Sequence, residues 1–240
     1  MFKFSRGDIP MKAAIKSFVF LMALSTVPAA LASTVTWANW TSENYQGNPS
    51  STVTGNIGSI TVTATGDFVA GDTQLTGQTS YPWPNVWSPE TTYHTVYGNG
   101  PPNPDIIALS NAGTETITFS QSVTNPLIAL MSWNGSDVTF NSTIKILTTG
   151  GPNNYWGVAG ADLNKLVINA TSTGFTGPNG EGNGVIQVLG TFNLSHPLTF
   201  TNANTEYWHG FTVGTVPLPA ALFFVAPALA GVFGFLRRKA

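Results

Sequence analysis

The residues able to carry chemistry are few and widely spaced. The chain has three histidines, His94, His196 and His209, and no cysteine. None of the histidines belongs to an H-x-H or H-E-x-x-H pattern, so the spacing offers no zinc site, and a chain without thiols has no disulfide and no thiolate nucleophile. No G-x-S-x-G elbow precedes a helical pattern. Gly180-Glu181-Gly182-Asn183-Gly184 lacks the lysine and the following helix of a phosphate loop and reads as a flexible turn. Glu43, Asp67, Asp72, Glu90, Asp105, Glu115, Asp137, Asp162, Glu181 and Glu206 are scattered through the middle of the chain. Two of them would have to meet across a cleft to serve as the acid and base of glycoside hydrolysis. The simpler expectation is a solvated acidic surface, so no residue is assigned a catalytic role. The only cofactor the pattern suggests is a structural calcium ion. Asp67, Asp72, Asp105 and Asp137 lie in or beside turns, where carboxylate and carbonyl oxygens can converge.

The aromatic residues are more concentrated. Tyr81-Pro82-Trp83-Pro84-Asn85-Val86-Trp87-Ser88-Pro89 is followed by Tyr93 and Tyr97. Three prolines keep this segment out of a central strand, so it forms a loop across an edge or face of the fold. Two readings stand side by side. In one, Tyr81, Trp83, Trp87 and Tyr93 form a saccharide platform, with ring faces against sugar C–H groups and neighbouring amides on the hydroxyls. In the other they are a lid packed over the core.

The elements that must position these side chains are strands. The 240 residues are 42% hydrophobic but only 8% charged, with 25 Gly and 16 Pro. Thr, Ser, Asn and Gly take the place of charge, which favours strands and turns over a helical bundle. Strand patterns run over 34–40, 57–65, 92–97, 105–109, 115–120, 127–133, 138–147, 165–170, 184–192, 198–201 and 210–213. Ile60, Val62 and Ala64 alternate with Thr61, Thr63 and Thr65, the period of a half-buried strand. Short strands with regular turn signals predict an all-β fold, an antiparallel β-sandwich of jelly-roll kind. The alternative, a parallel β-helix, lacks a repeat of fixed length. Trp37 and Trp40 are three apart and so face opposite sides of a strand, which places at most one in a core. Trp208 and Phe211 are expected core residues.

The charges divide the chain into three. Lys3, Arg6, Lys12, Lys16, Arg237, Arg238 and Lys239 lie at the ends, and only Lys145 and Lys165 accompany the ten acids between. The net charge of −2 and the acidic middle exclude a nucleic-acid partner. Lys12 and Lys16, the apolar run 18–24, and Ala30-Leu31-Ala32 before Ser33 form the three parts of a cleaved export signal over 1–32, more regular if translation starts at Met11. At the other end, Val216-Pro217-Leu218-Pro219-Ala220 leads into an uncharged run that ends at Leu236, followed by Arg237-Arg238-Lys239. Such a run forms a short membrane helix whose basic end stays cytoplasmic. The domains expected are thus 1–32, a β-sandwich over 33–215, and 216–240.

The last segment resembles the PEP-CTERM sorting signal of Gram-negative bacteria, with Leu218 where that motif usually carries Glu. Trp37-Ala38-Asn39-Trp40-Thr41-Ser42 and Glu206-Tyr207-Trp208-His209-Gly210-Phe211 also resemble segments of secreted proteins with such tails. The resemblance implies an exosortase-like processing enzyme as partner and passage through the inner membrane. It further implies a final place at the cell surface or in the extracellular polysaccharide matrix. The functional expectation is a non-enzymatic structural or interaction protein of that matrix. The alternatives are a carbohydrate-binding module using the aromatic platform and a jelly-roll glycoside hydrolase or lyase.

Overall fold

The computed structural model describes residues 34–46, 50–78, 87, 93–95, 97–150 and 165–217. The export signal with its Ala30, Ala32 and Ser33 site, Tyr81, Trp83, and the tail from Leu218 through Arg237, Arg238 and Lys239 lie outside these residues. The described elements are all strands, paired antiparallel.

One sheet contains β1 (Thr36–Trp37), β5 (Ile107–Leu109), β8 (Leu127–Met131), β10 (Ile144–Thr149), β13 (Gly184–Val188) and β16 (His209–Thr215). Its order is β1-β16-β8-β13-β10, with β5 also pairing with β16. The second contains β2 (Asn39–Asn44), β3 (Ser51–Ile57), β4 (Ile60–Gly66), β6 (Gly113–Phe119), β9 (Asp137–Phe140), β11 (Val167–Ile168), β12 (Gly174–Thr176) and β15 (Leu198–Asn202). These run in the order β11-β12-β9-β15-β6-β4-β3-β2. A two-stranded ribbon joins β7 (Val123–Thr124) to β14 (Thr191–Phe192). The arrangement is sandwich-like, because one apolar cluster draws on both sheets: Val53, Val62, Ile117, Phe119 and Phe200 from the larger, Ile128, Leu130, Ile186, Phe211 and Val213 from the smaller.

The smaller sheet is covered on both faces. All five residues of β8 are buried. Ile128 and Leu130 join the cluster between the sheets, whereas Leu127, Ala129 and Met131 join a second cluster with Val35, Trp37, Trp87, Tyr93, Ile106, Ala108, Val185 and Trp208. Two apolar neighbourhoods explain why Leu-Ile-Ala-Leu-Met reads as an unbroken apolar run where β4, with one wet face, alternates.

The chain changes sheet between Trp37 and Trp40. Trp37 ends β1 in the smaller sheet and Trp40 lies in β2 of the larger, with Ala38 between. The two rings do diverge, yet both are buried, Trp37 in the second cluster and Trp40 in the first. This corrects the expectation of a single core tryptophan, which assumed one core. Each ring lies against a glycine. A Cβ on Gly214 would come 2.6 Å from Trp37 Cε3, and one on Gly55 would come 2.9 Å from Trp40 Cε3. The glycines are there for close packing.

The expected strand at 57–65 is β4 from Ile60 on, joined to the end of β3 by a turn at Gly58 with φ of 60°. Expected strand 138–147 likewise divides into β9 and β10, and 184–192 into β13 and β14. No named strand covers 92–97, where the described residues offer only the isolated bridge between Thr95 and Gly98.

The expectation of a wholly solvated acidic surface fails at two positions. Asp105 is 1% exposed and accepts from Trp40 N at 2.8 Å and Thr76 Oγ1 at 2.5 Å. Burial raises its pKa, and these two donors oppose the shift. Glu115 is fully buried on the inward side of β6, against Gly66, whose replacement by alanine would overlap its Oε2. Burial pushes its carboxyl up to about 8; the backbone N–H of Asp67, short of hydrogen-bond geometry, offsets part of this and the Asp67 charge adds to it.

Candidate functional site

Two regions bring polar side chains together in a way the sequence does not display. The first is a network formed where β8 ends and β13 and β16 begin. Ser132 leaves β8 with φ of 60° and donates its hydroxyl to Glu181 Oε2, while its N–H donates to Asn183 Oδ1 at 2.9 Å. Asn134 reaches both carboxylates: its Nδ2 donates to Glu181 Oε1 at 3.4 Å and its backbone N–H donates to Glu206 Oε2 at 3.0 Å. Glu206 Oε1 also accepts from Ser136 Oγ at 3.0 Å and lies 3.0 Å from Nδ1 of the fully buried His209, off the axis of a ring N–H bond. On the far side of the ring, Nε2 shares a hydrogen bond with Asn202 Nδ2 at 3.2 Å, and Trp133 packs on the imidazole with ring centroids 4.4 Å apart.

Burial raises the pKa of Glu181; the Ser132 and Asn134 bonds oppose this, and the nearby Glu206 charge adds to it. An acid with a raised pKa beside a second carboxylate is the pattern of acid–base chemistry. Here each oxygen of Glu206 accepts from one donor of its own chain. The arrangement holds the loop at 132–136 to the segments around 181–183 and 202–209. Residues spaced by up to seventy positions or more made it invisible in sequence. The one local signal, Glu181-Gly182-Asn183, has the composition of a flexible turn; instead Gly182 donates to Asn134 Oδ1 at 3.3 Å and accepts from Trp133 N at 2.8 Å. The turn is tied down.

The second region is the solvent face of the larger sheet. Outward positions of its four adjacent strands β3, β4, β6 and β15 are Thr52, Thr54 and Asn56, then Thr61, Thr63 and Thr65, then Thr114, Thr116 and Thr118, then Thr199 and Thr201. None of these side chains ionises. Registers align them in rows across the strands, for example Thr54 with Thr63 and Thr63 with Thr118. On β2 the neutral Ser42 and Asn44 continue this face, whereas Glu43 pairs with Val53 and lies on the other side; on β9 Thr139 continues it and Asp137 brings the first charge.

No protein-family model, curated protein or solved structure matches the chain.

Of the residues singled out for the saccharide platform, Trp87 and Tyr93 are among those described. Trp87 is 3% exposed and Tyr93 is fully buried. Their rings meet edge to face at 5.0 Å, and Tyr93 Oη donates to Met131 Sδ at 3.4 Å. Burial raises the Tyr93 pKa well above the ordinary phenol value, and the Glu181 charge adds to this. Trp208 and Phe211 are buried as expected. Of the sorting motif, Val216 packs against the second cluster and Pro217 is exposed.

The candidate calcium acids do not converge among the described residues. Asp105 is occupied inside the fold, Asp67 Oδ2 accepts from Asn111 at 2.7 Å, and Asp137 is exposed on β9. Among the described residues no three His, Asp or Glu side chains are grouped to hold a metal ion.

Proposed function

We propose that this chain is an exported, non-enzymatic protein of the bacterial surface or extracellular polysaccharide matrix, with a jelly-roll β-sandwich as its working body. In this reading residues 1–32 direct export and are removed after Ala32. Val216, Pro217, Leu218, Pro219 and Ala220 with the basic end form a PEP-CTERM-like signal, handled by an exosortase-like enzyme while the tail is in the inner membrane.

The observation that carries the reading is the uncharged face on β3, β4, β6 and β15. A protein working among hydroxyl-bearing polymers gains from a broad surface of neutral donors and acceptors, since hydroxyls can both give and accept. Fixed charge would have to be desolvated at every contact. The Glu206 clasp supports a structural duty for that carboxylate, since each of its oxygens ties down the loop at 132–136. Burial of Trp87 and Tyr93 favours a structural role for those rings over a binding platform.

The test is fractionation of the native host carrying either the intact chain or a Pro217→Ala, Pro219→Ala variant. The intact chain is expected at the surface and in shed matrix, and the variant in the inner membrane. Equal distribution of the two would refute the sorting role.

A further inference from the structure

Within the neutral face, one row stands apart. Thr52, Thr65, Thr116 and Thr199 follow one another across four neighbouring strands, paired directly as Thr52 with Thr65, Thr65 with Thr116, and Thr116 with Thr199. All four are half-buried, and among the described residues their hydroxyls form no hydrogen bond with the protein. The rows on either side differ. Thr54 Oγ1 and Thr63 Oγ1 are 3.4 Å apart and Thr118 Oγ1 donates to Thr63 O at 3.4 Å, while Thr114 Oγ1 and Thr201 Oγ1 are 2.7 Å apart.

We propose that this row is a binding track for a neutral polysaccharide chain, lying perpendicular to the strands. The proposal rests on the matrix reading above and names the site at which that reading is carried out. Strand spacing makes the track roughly 14 Å long, with a hydroxyl without a protein partner about every 4.8 Å and a methyl group beside each for the C–H faces of sugar rings. Its neutrality matches an uncharged polymer: the four strands bear no fixed charge on this face that would attract an acidic one. The area decides against a second protein. From β2 to β15 the charge-free patch covers roughly 19 Å by 13 Å, about 250 Å², against about 800 Å² per partner in a stable protein interface. A narrow, repeating ligand suits it, with affinity gained through many copies along one polymer.

Threonine is common on strands for its β-propensity, and Lys and Glu are less favoured there, but a soluble surface normally intersperses charges of both signs. Unbroken neutrality at every outward position of four adjacent strands exceeds what propensity requires.

The full chain, extracted in neutral detergent, is run through native gels containing dextran, a β-1,3-glucan, xyloglucan or alginate. The neutral polymers are expected to retard it and acidic alginate to leave it unaffected. Thr65→Val with Thr116→Val removes two hydroxyls while keeping shape and β-branching, and is expected to weaken retardation about tenfold with unchanged thermal unfolding. Thr176→Val on β12 serves as a control that binds as the parent does. Migration unaffected by all three neutral polymers, equal retardation of the double variant, or retardation by alginate alone would overturn the proposal. Location is read separately: a chain found in the inner membrane that still shows the expected gel shifts refutes the sorting reading and leaves the track in place.

Discussion

Trp40 Nε1 donates to Thr212 Oγ1 at 2.9 Å, joining the edge strand β2 of the larger sheet to β16 in the smaller one across 172 residues of sequence. The same tryptophan's backbone N–H is held by Asp105. One residue thus fixes both the point where the chain changes sheet and the segment that leads into β5. Trp40→Phe is expected to cost about 1–3 kcal/mol, since it leaves the buried Thr212 hydroxyl without its donor. Trp40→Ala, which also opens a cavity, is expected to cost about 3–5 kcal/mol. Chemical denaturation checks both. In a double-mutant cycle with Thr212→Val, the Trp40→Phe loss should shrink, because the orphaned hydroxyl has gone.

Glu115 makes the fold sensitive to pH. Its carboxyl titrates near 8 when folded and near 4.5 when unfolded, so the folded state holds the proton more tightly. Its contribution is complete below the unfolded value and is lost as pH rises towards 8, at up to about 1.4 kcal/mol per unit across that window. Asp105 and Glu181 are shifted in the same direction. Unfolding free energy measured from pH 5 to pH 8 should fall, and Glu115→Gln should flatten most of the decline. A parent that grows more stable over this range would contradict the burial argument.

Trp87 separates packing from recognition. As a member of the second cluster it is expected to cost about 3–5 kcal/mol on truncation to alanine. A Trp87→Ala variant that keeps its melting temperature while losing polysaccharide binding would instead restore the platform reading.

The Glu206 clasp predicts a structural phenotype. Glu206→Ala removes the acceptor for Asn134 N and Ser136 Oγ and should lower stability by about 1–3 kcal/mol. A panel of polysaccharides incubated with the parent is expected to return uncut. Release of sugars that disappears in Glu181→Gln would make this network an active site.

What could be read from the sequence was whatever obeyed a two-residue alternation with one wet face. β4 and β6 did so, and the all-β architecture followed. β3 did not, because its inward positions are Ser51, Val53, Gly55 and Ile57, and the glycine that looks like a breaker accommodates the Trp40 ring. The sheet buried on both faces was also hidden: periodicity shows that Leu127 to Met131 are apolar but cannot show that a second apolar layer waits beyond them. Glu115 sits among outward-looking threonines in Thr-Glu-Thr-Ile-Thr and resembles a surface acid until parity with Ile117 and Phe119 is enforced by pairing. The threonine track required registers between residues up to 83 positions apart, Thr116 with Thr199, which no local pattern encodes.

In the proposed function the body reaches the surface by way of its two terminal signals. The most direct measurement is the intact mass of the protein recovered from the cell surface and shed matrix of a polymer-producing host, alongside a chain deleted from Val216 onward. A surface species beginning at Ser33 and lacking the apolar tail is expected, with the deleted chain missing from the surface. A full-length tail retained in the inner membrane would contradict it.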